Sequence, residues 1–127
     1  MIKSIASAVK TTLAMIALLL AFTTTAKAQD KTLAGAKAVT NQLKEQLSLN
    51  DGQYTKVYDI NKAFLVKAAE NNKSALNATE KAKKLKAITD EKDAKLKSVL
   101  TEPQYKTYSA NRAENNKKLR VYYQDEK

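Results

Sequence analysis

The stretch LSLNDGQYTKVY, Leu47 to Tyr58, has an echo in LTEPQYKTY, Leu100 to Tyr108. Shifted by 51 positions, Leu49 falls on Leu100, Gln53 on Gln104 and Tyr54 on Tyr105. The repeat has a physical reading. With Thr101 as N-cap, its hydroxyl can accept from the backbone N–H of Gln104, and the Gln104 side chain can reach back to the N-cap N–H. Leu100 and Tyr105 then occupy the two positions of a hydrophobic staple. Pro103 falls in the first turn, where its missing N–H costs little, and Glu102 sets a negative charge at the positive end of the helix dipole. Leu49, Asn50, Asp51, Gln53 and Tyr54 fit the same scheme. Each copy therefore marks a helix start directly after another helix has ended. On capping alone, losing Thr101 is expected to cost about 1 kcal/mol, losing Gln104 less, and losing Leu100 more because buried area goes with it.

The rest of the chain reads as helix around these two junctions. Ala, Lys, Leu, Gln and Glu dominate, and runs of β-branched residues are absent. The first helix is expected over about 31–47, with Leu33, Ala36, Val39, Leu43 and Leu47 at three- and four-residue steps. The second spans about 51–72, with Tyr54, Val57, Phe64, Leu65 and Ala68 on one face. Residues 71–77 read as a loop, and Asn77 with Glu80 offers a capping box for the third helix. That helix runs to about 99 with Leu85, Ile88, Leu96 and Val99 in its stripe. The fourth runs from Glu102 to about Gln124. The expected class is all-α: four antiparallel helices, elongated or cradle-like.

Composition excludes most chemistry. The chain has 127 residues, no Cys, His or Trp, two Gly and one Pro. Most metal sites are thereby unavailable, and so is a Ser–His or Cys–His nucleophile pair. No phosphate-cradling glycine loop is present, and the carboxylates sit among lysines on what read as solvated faces. The chain reads as a non-enzyme without cofactor or metal.

The N-terminus addresses compartment. Lys3 and Lys10 precede an apolar core, Leu13 to Phe22, which is followed by Ala26-Lys27-Ala28. This is the pattern of a secretory signal, residues 1–28, with cleavage after Ala28; the apolar run is shorter than the roughly 20 residues of a membrane span. The expected mature chain, 29–127, is a single domain with no disulfide to stabilise it. Loss of Lys3, Lys10 and Lys27 leaves 20 of the 23 basic residues against 13 acids, a charge of +7. Most of it lies in the second half: residues 73–127 hold 14 basic and 8 acidic side chains. A basic exported chain lacking compact Lys/Arg motifs argues against nucleic acid; an anionic membrane surface is a partner its charge admits.

The helix faces point to a surface. In the fourth helix the stripe is Tyr105, Tyr108, Arg112, Asn115, Leu119, Tyr122, with an arginine where a buried core would not place one unpaired. Two readings stand: a core edge with Arg112 snorkelling outward, or a dimer or client surface, for which tyrosines suit half-wet contacts. In the third helix Lys92 lies within the apolar stripe, with Lys84 and Lys95 near its margin. Lys84, Lys92, Lys95, Tyr108, Arg112 and Tyr122 are the candidate client or partner surface. The thin core points to a homodimer.

The motif LTEPQ resembles the LTxxQ motif of the Spy/CpxP-like periplasmic proteins, and LNDGQ is similar to a degenerate first copy, with Asn50 where Thr is usual. DEKDAKLKSVL, Asp90 to Leu100, resembles the helix that leads into that motif. The resemblance implies a four-helix, cradle-shaped dimer in the periplasm. It implies one of two functions: ATP-independent chaperone-like holding of unfolded or stressed envelope proteins, or regulation of envelope stress by docking on a specific sensor or membrane partner.

The exported protein is expected to begin at Gln29. Intact-mass measurement of the exported form checks this, and a retained 1–28 segment overturns the compartment reading.

Overall fold

The computed structural model describes residues 26–124, and from Lys31 onward the chain forms one compact unit. Residues 1–25, which hold most of the expected signal segment 1–28, lie outside the described residues. The described residues form five helices: α1 (Ala26–Leu47), α2 (Asp51–Lys73), α3 (Ala78–Val99), α4 (Glu102–Ala110) and α5 (Arg112–Tyr123). Among the described residues the structure is all-helical.

Helix α1 buries Ala36, Val39, Leu43 and Leu47. Leu33, expected in the same stripe, lies at its margin and stays 37% exposed. The helix ends on Ser48, which takes the left-handed conformation (φ 55°), and Leu49 N–H donates to Lys44 O at 3.3 Å. This is a Schellman closure with serine where glycine is usual. Helix α2 buries Val57, Asn61, Phe64, Leu65, Ala68 and Asn71, and Asn61 Nδ2 donates to Thr40 Oγ1 of α1 at 3.0 Å. Asn77 caps α3 by accepting from Glu80 N–H at 2.9 Å. That cap is one-sided, with no return bond from the Glu80 side chain, so the expected capping box is half made.

The helix expected from 102 to 124 is broken at Asn111. The cause is local competition for carbonyls. Asn111 N–H is shared between Thr107 O (3.3 Å) and Tyr108 O (3.1 Å), and its side-chain Nδ2 also donates to Thr107 O at 3.0 Å. An asparagine that satisfies a helix carbonyl with its side chain tightens and interrupts the ladder.

Both capping boxes form. Gln53 N–H donates to Asn50 Oδ1 at 2.8 Å and Asn50 N–H to Gln53 Oε1 at 3.2 Å. Gln104 N–H donates to Thr101 Oγ1 at 3.4 Å and Thr101 N–H to Gln104 Oε1 at 2.9 Å. Leu49 and Leu100 are buried at 5% and 8% exposure. Tyr105 packs on the core, as a staple requires. Tyr54 instead stays half-buried, its hydroxyl donating to Asn41 Oδ1 at 2.6 Å and its ring under the Lys44 ammonium at 5.6 Å.

The two boxes also meet each other. Gln53 Nε2 donates to Gln104 Oε1 at 2.7 Å, and Gln104 Nε2 donates to Gln53 Oε1 at 3.2 Å. Each amide then reaches the last carbonyl of the helix before the other cap: Gln53 Nε2 to Val99 O at 3.3 Å, Gln104 Nε2 to Leu47 O at 3.1 Å. The sequence repeat is thus a local pseudo-twofold in which each glutamine caps its own helix start and the other junction's helix end.

These bonds reverse the ranking expected from capping alone. Gln53→Ala and Gln104→Ala should each cost about 2–3 kcal/mol, more than Thr101→Ala at about 1 kcal/mol. A double-mutant cycle between them, read from urea midpoints, should give a coupling of about 1–2 kcal/mol. Additive losses would show that the pairing contributes nothing to stability.

Candidate functional site

The polar cluster of this fold lies where α3 meets α4 and α5. On α3, Ile88, Lys92, Asp93 and Leu96 are buried, so two of the four inward positions carry charge. Lys92 is 3% exposed, yet among the described residues its Nζ donates only to a neutral oxygen, Asn116 Oδ1, at 2.5 Å. The ammonium also lies over the Phe64 ring (4.7 Å) and near that of Tyr108 (6.0 Å). Neighbouring Asp93 is better provided. Its Oδ1 accepts from Tyr108 OH at 2.7 Å, and its Oδ2 lies 3.4 Å from Arg112 Nε. Arg112 Nη2 donates further to Tyr105 OH (3.3 Å) and Ser109 Oγ (3.4 Å).

Burial pushes the Lys92 ammonium down to about 8, with Arg112 adding to the fall and Asp93 opposing it. Burial holds the Tyr108 hydroxyl above its ordinary range, and the hydrogen bond it gives to Asp93 reinforces this. The cluster joins helices and pairs charge. Among the described residues no group of His, Cys, Asp or Glu is placed to hold a metal ion.

The six residues expected to share a client or partner surface do not share one. Lys92 and Tyr108 are buried, at 3% and 1% exposure. The reason is that α4 and α5 fold across the stripe of Ile88, Lys92 and Leu96 and carry Tyr108 into the same core. Arg112 is half-buried and paired to Asp93, which accounts for an arginine in a tyrosine stripe as a core-edge residue. Lys84 is exposed. Lys95 is exposed and bridges to Glu91 Oε1 at 3.0 Å, a carboxylate that also takes Lys67 Nζ at 2.8 Å. Tyr122 is half-buried over Gly35, where a Cβ would come within 2.5 Å of its Cγ. Only glycine at 35 lets α1 and α5 approach this closely.

Asp93 and Asn116 were not legible as site residues, although a Lys-Asp pair inside the Ile88–Leu96 stripe was the signal for both. What the surface does offer is a groove between α1 and α5, lined by Ala38, Val39, Gln42, Lys118, Val121 and Tyr122. Val121 there is 60% exposed. No helix among the described residues is long and apolar enough to cross a membrane.

One family model matches the chain, over residues 23–108: a domain of unknown function, DUF4890. The chain belongs to this family. The match takes in both capping boxes and their glutamine pair and ends at Tyr108, within α4. No curated protein and no solved structure matches the chain significantly.

The buried lysine makes stability depend on pH in an unusual direction. Below pH 8 Lys92 is protonated in folded and unfolded chains alike, and the folded state bears the full cost of burying the charge. Between about 8 and 10.5 the unfolded chain holds more protons, so stability rises with pH. Above about pH 10 the unfolded chain ionises Tyr108 while the folded one does not, and stability falls. Urea unfolding across pH 7–11 should therefore show a gain of about 2–3 kcal/mol between pH 8 and 10, then a decline. Lys92→Met should be more stable at pH 7 by a similar amount and lack the rise. A flat profile in the parent chain would mean the amine is hydrated.

Proposed function

We propose that this chain is an exported, periplasmic binding protein of the Spy/CpxP-like kind, which holds unfolded or stressed envelope proteins without ATP. The observation that carries the reading is the α1–α5 groove: apolar surface left open at Val121 on a strongly basic chain. Exposed lysines attract acidic unfolded chains quickly, and a small apolar patch holds them loosely. The reading takes α4 and α5 together as the fourth helix of an antiparallel, cradle-like arrangement, and the working unit as a homodimer. It has the signal segment removed after Ala28, and it needs no cofactor, active site or nucleic acid. The two meeting LTxxQ-like motifs support the likeness, because a node tying both junctions is a reason to keep both copies.

Suppression of aggregation of an unrelated denatured acidic protein, without ATP and at several salt concentrations, tests this. Lys84→Glu with Lys95→Glu should slow capture while lowering the melting temperature only slightly, since Lys95→Glu exchanges an exposed bridge to Glu91 for a like-charge pair. Added salt should mimic the slower capture, since exposed charges are screened beyond about 10 Å at 0.1 M salt. Val121→Glu should weaken holding at unchanged stability. If the parent chain never suppresses aggregation at any salt, the holding function is wrong and a regulatory adaptor docking on one envelope partner takes its place.

A further inference from the structure

Helix α5 lies in a trough formed by three other helices. Tyr123 packs edge-on against Phe64 of α2, with ring centroids 5.8 Å apart. Asn116 receives the Lys92 ammonium of α3. Tyr122 covers Gly35 of α1. Leu119 and Tyr123, four residues apart, are its buried apolar anchors at 1% and 8% exposure.

Two faults in the fit fall at the same turn. Asn115 is 1% exposed, and neither its Nδ2 nor its Oδ1 has a hydrogen-bond partner. A buried amide left wholly unpaired costs far more than an aliphatic side chain of similar size would. Beside it, a desolvated ammonium meets a neutral amide oxygen where a carboxylate would neutralise it. The start of the helix is also a hinge. Helix α5 begins at the Asn111 break with no side-chain cap, so it can swing about that point once Arg112 gives up Asp93, Tyr105 and Ser109.

These faults describe what the trough would hold better. We propose that the trough beneath α5 is a binding site for an amphipathic helix of another protein, one that presents an apolar residue followed directly by a carboxylate, then two anchors four and eight residues on. Helix α5 is the built-in occupant, imperfect at Asn115 and Asn116, and is displaced about Asn111 by the better-matched helix. The apolar residue takes the place of Asn115, the carboxylate pairs with Lys92, and the anchors replace Leu119 and Tyr123 against Phe64. The inference rests on the reading of the chain as a binding protein, and narrows its partner from any unfolded segment to a helix-forming one. Its test uses a defined peptide and no aggregating client, so the two readings fail separately.

The experiment titrates a fluorescent 14-residue peptide with the sequence of 111–124 into the full chain, in the parent form and with Asn115→Leu, Asn116→Asp or both. The doubly substituted peptide should bind at least about tenfold more tightly than the parent peptide, and hydrogen exchange of the chain's own α5 should speed up on binding while α2 and α3 stay protected. In the Lys92→Met chain, which is expected to be stable, the gain from Asn116→Asp should vanish and that from Asn115→Leu should remain. Placed in the chain itself, Asn115→Leu with Asn116→Asp should slow exchange in α5 and weaken peptide binding at least about tenfold. Equal affinity of all four peptides, an Asn116→Asp gain indifferent to Lys92, or binding that leaves α5 protected would each overturn the proposal. So would a chain that exchanges α5 between two copies, because the trough's occupant would then be itself.

Discussion

The reciprocal amide pair between Gln53 and Gln104 is the constraint from which the rest of the structure follows. A capping glutamine usually serves one helix start. Here each serves four groups: its own N-cap N–H, both atoms of the other amide between them, and the final carbonyl of a helix from the other junction. Helix ends leave orphan donors and acceptors, and two starts and two ends brought to one place satisfy part of each other's need. Four helices are thereby fixed at one point with no metal, disulfide or large side chain. Leu49 and Leu100 seal the node from the core side.

Away from the node, the balance between desolvation and pairing decides what each charge does. Asp93 pairs with Arg112 and accepts from a tyrosine hydroxyl, so its burial is compensated. Lys92 is buried more deeply, yet among the described residues its ammonium touches only an amide oxygen and ring faces, with Asp93 acting on it at longer range. An aromatic face offers a desolvated ammonium less than a carboxylate does. The α3–α5 contact is consequently less favourable than its burial suggests, while the α3–α4 contact through Asp93 and Tyr108 is firm. The molecule is well tied at one end and loosely covered at the other.

Much of this was legible in the sequence, for definite reasons. Apolar residues at steps of three and four, and Asn50 and Thr101 each placed three residues before a glutamine, specify local hydrogen bonds, so helix positions and both capping boxes could be read directly. That the boxes meet could not be read, because a hydrogen bond between residues 51 positions apart leaves no periodic trace. The break at Asn111 was missed because a single asparagine in a helical pattern is tolerated more often than it interrupts. Lys92 was placed correctly in the apolar stripe yet assigned to a surface, since whether a stripe is covered depends on a helix that arrives from elsewhere. Lys84 and Lys95, at the margin, are exposed as read.

The node also sets a topology for folding. Once Gln53 and Gln104 join, α2 and α3 form a closed loop, and α1 and the α4–α5 segment become two arms leaving a common knot. Joining residues so far apart costs chain entropy that grows only slowly with loop length. That cost falls further if the α2–α3 hairpin is already made, because its tip, Ser74 to Asn77, is short and Asn71 Nδ2 already bonds Lys81 O across it. Local hairpin first, knot second and arms last is the order that meets the least entropy at each step, and it leaves α5 as the last part to settle.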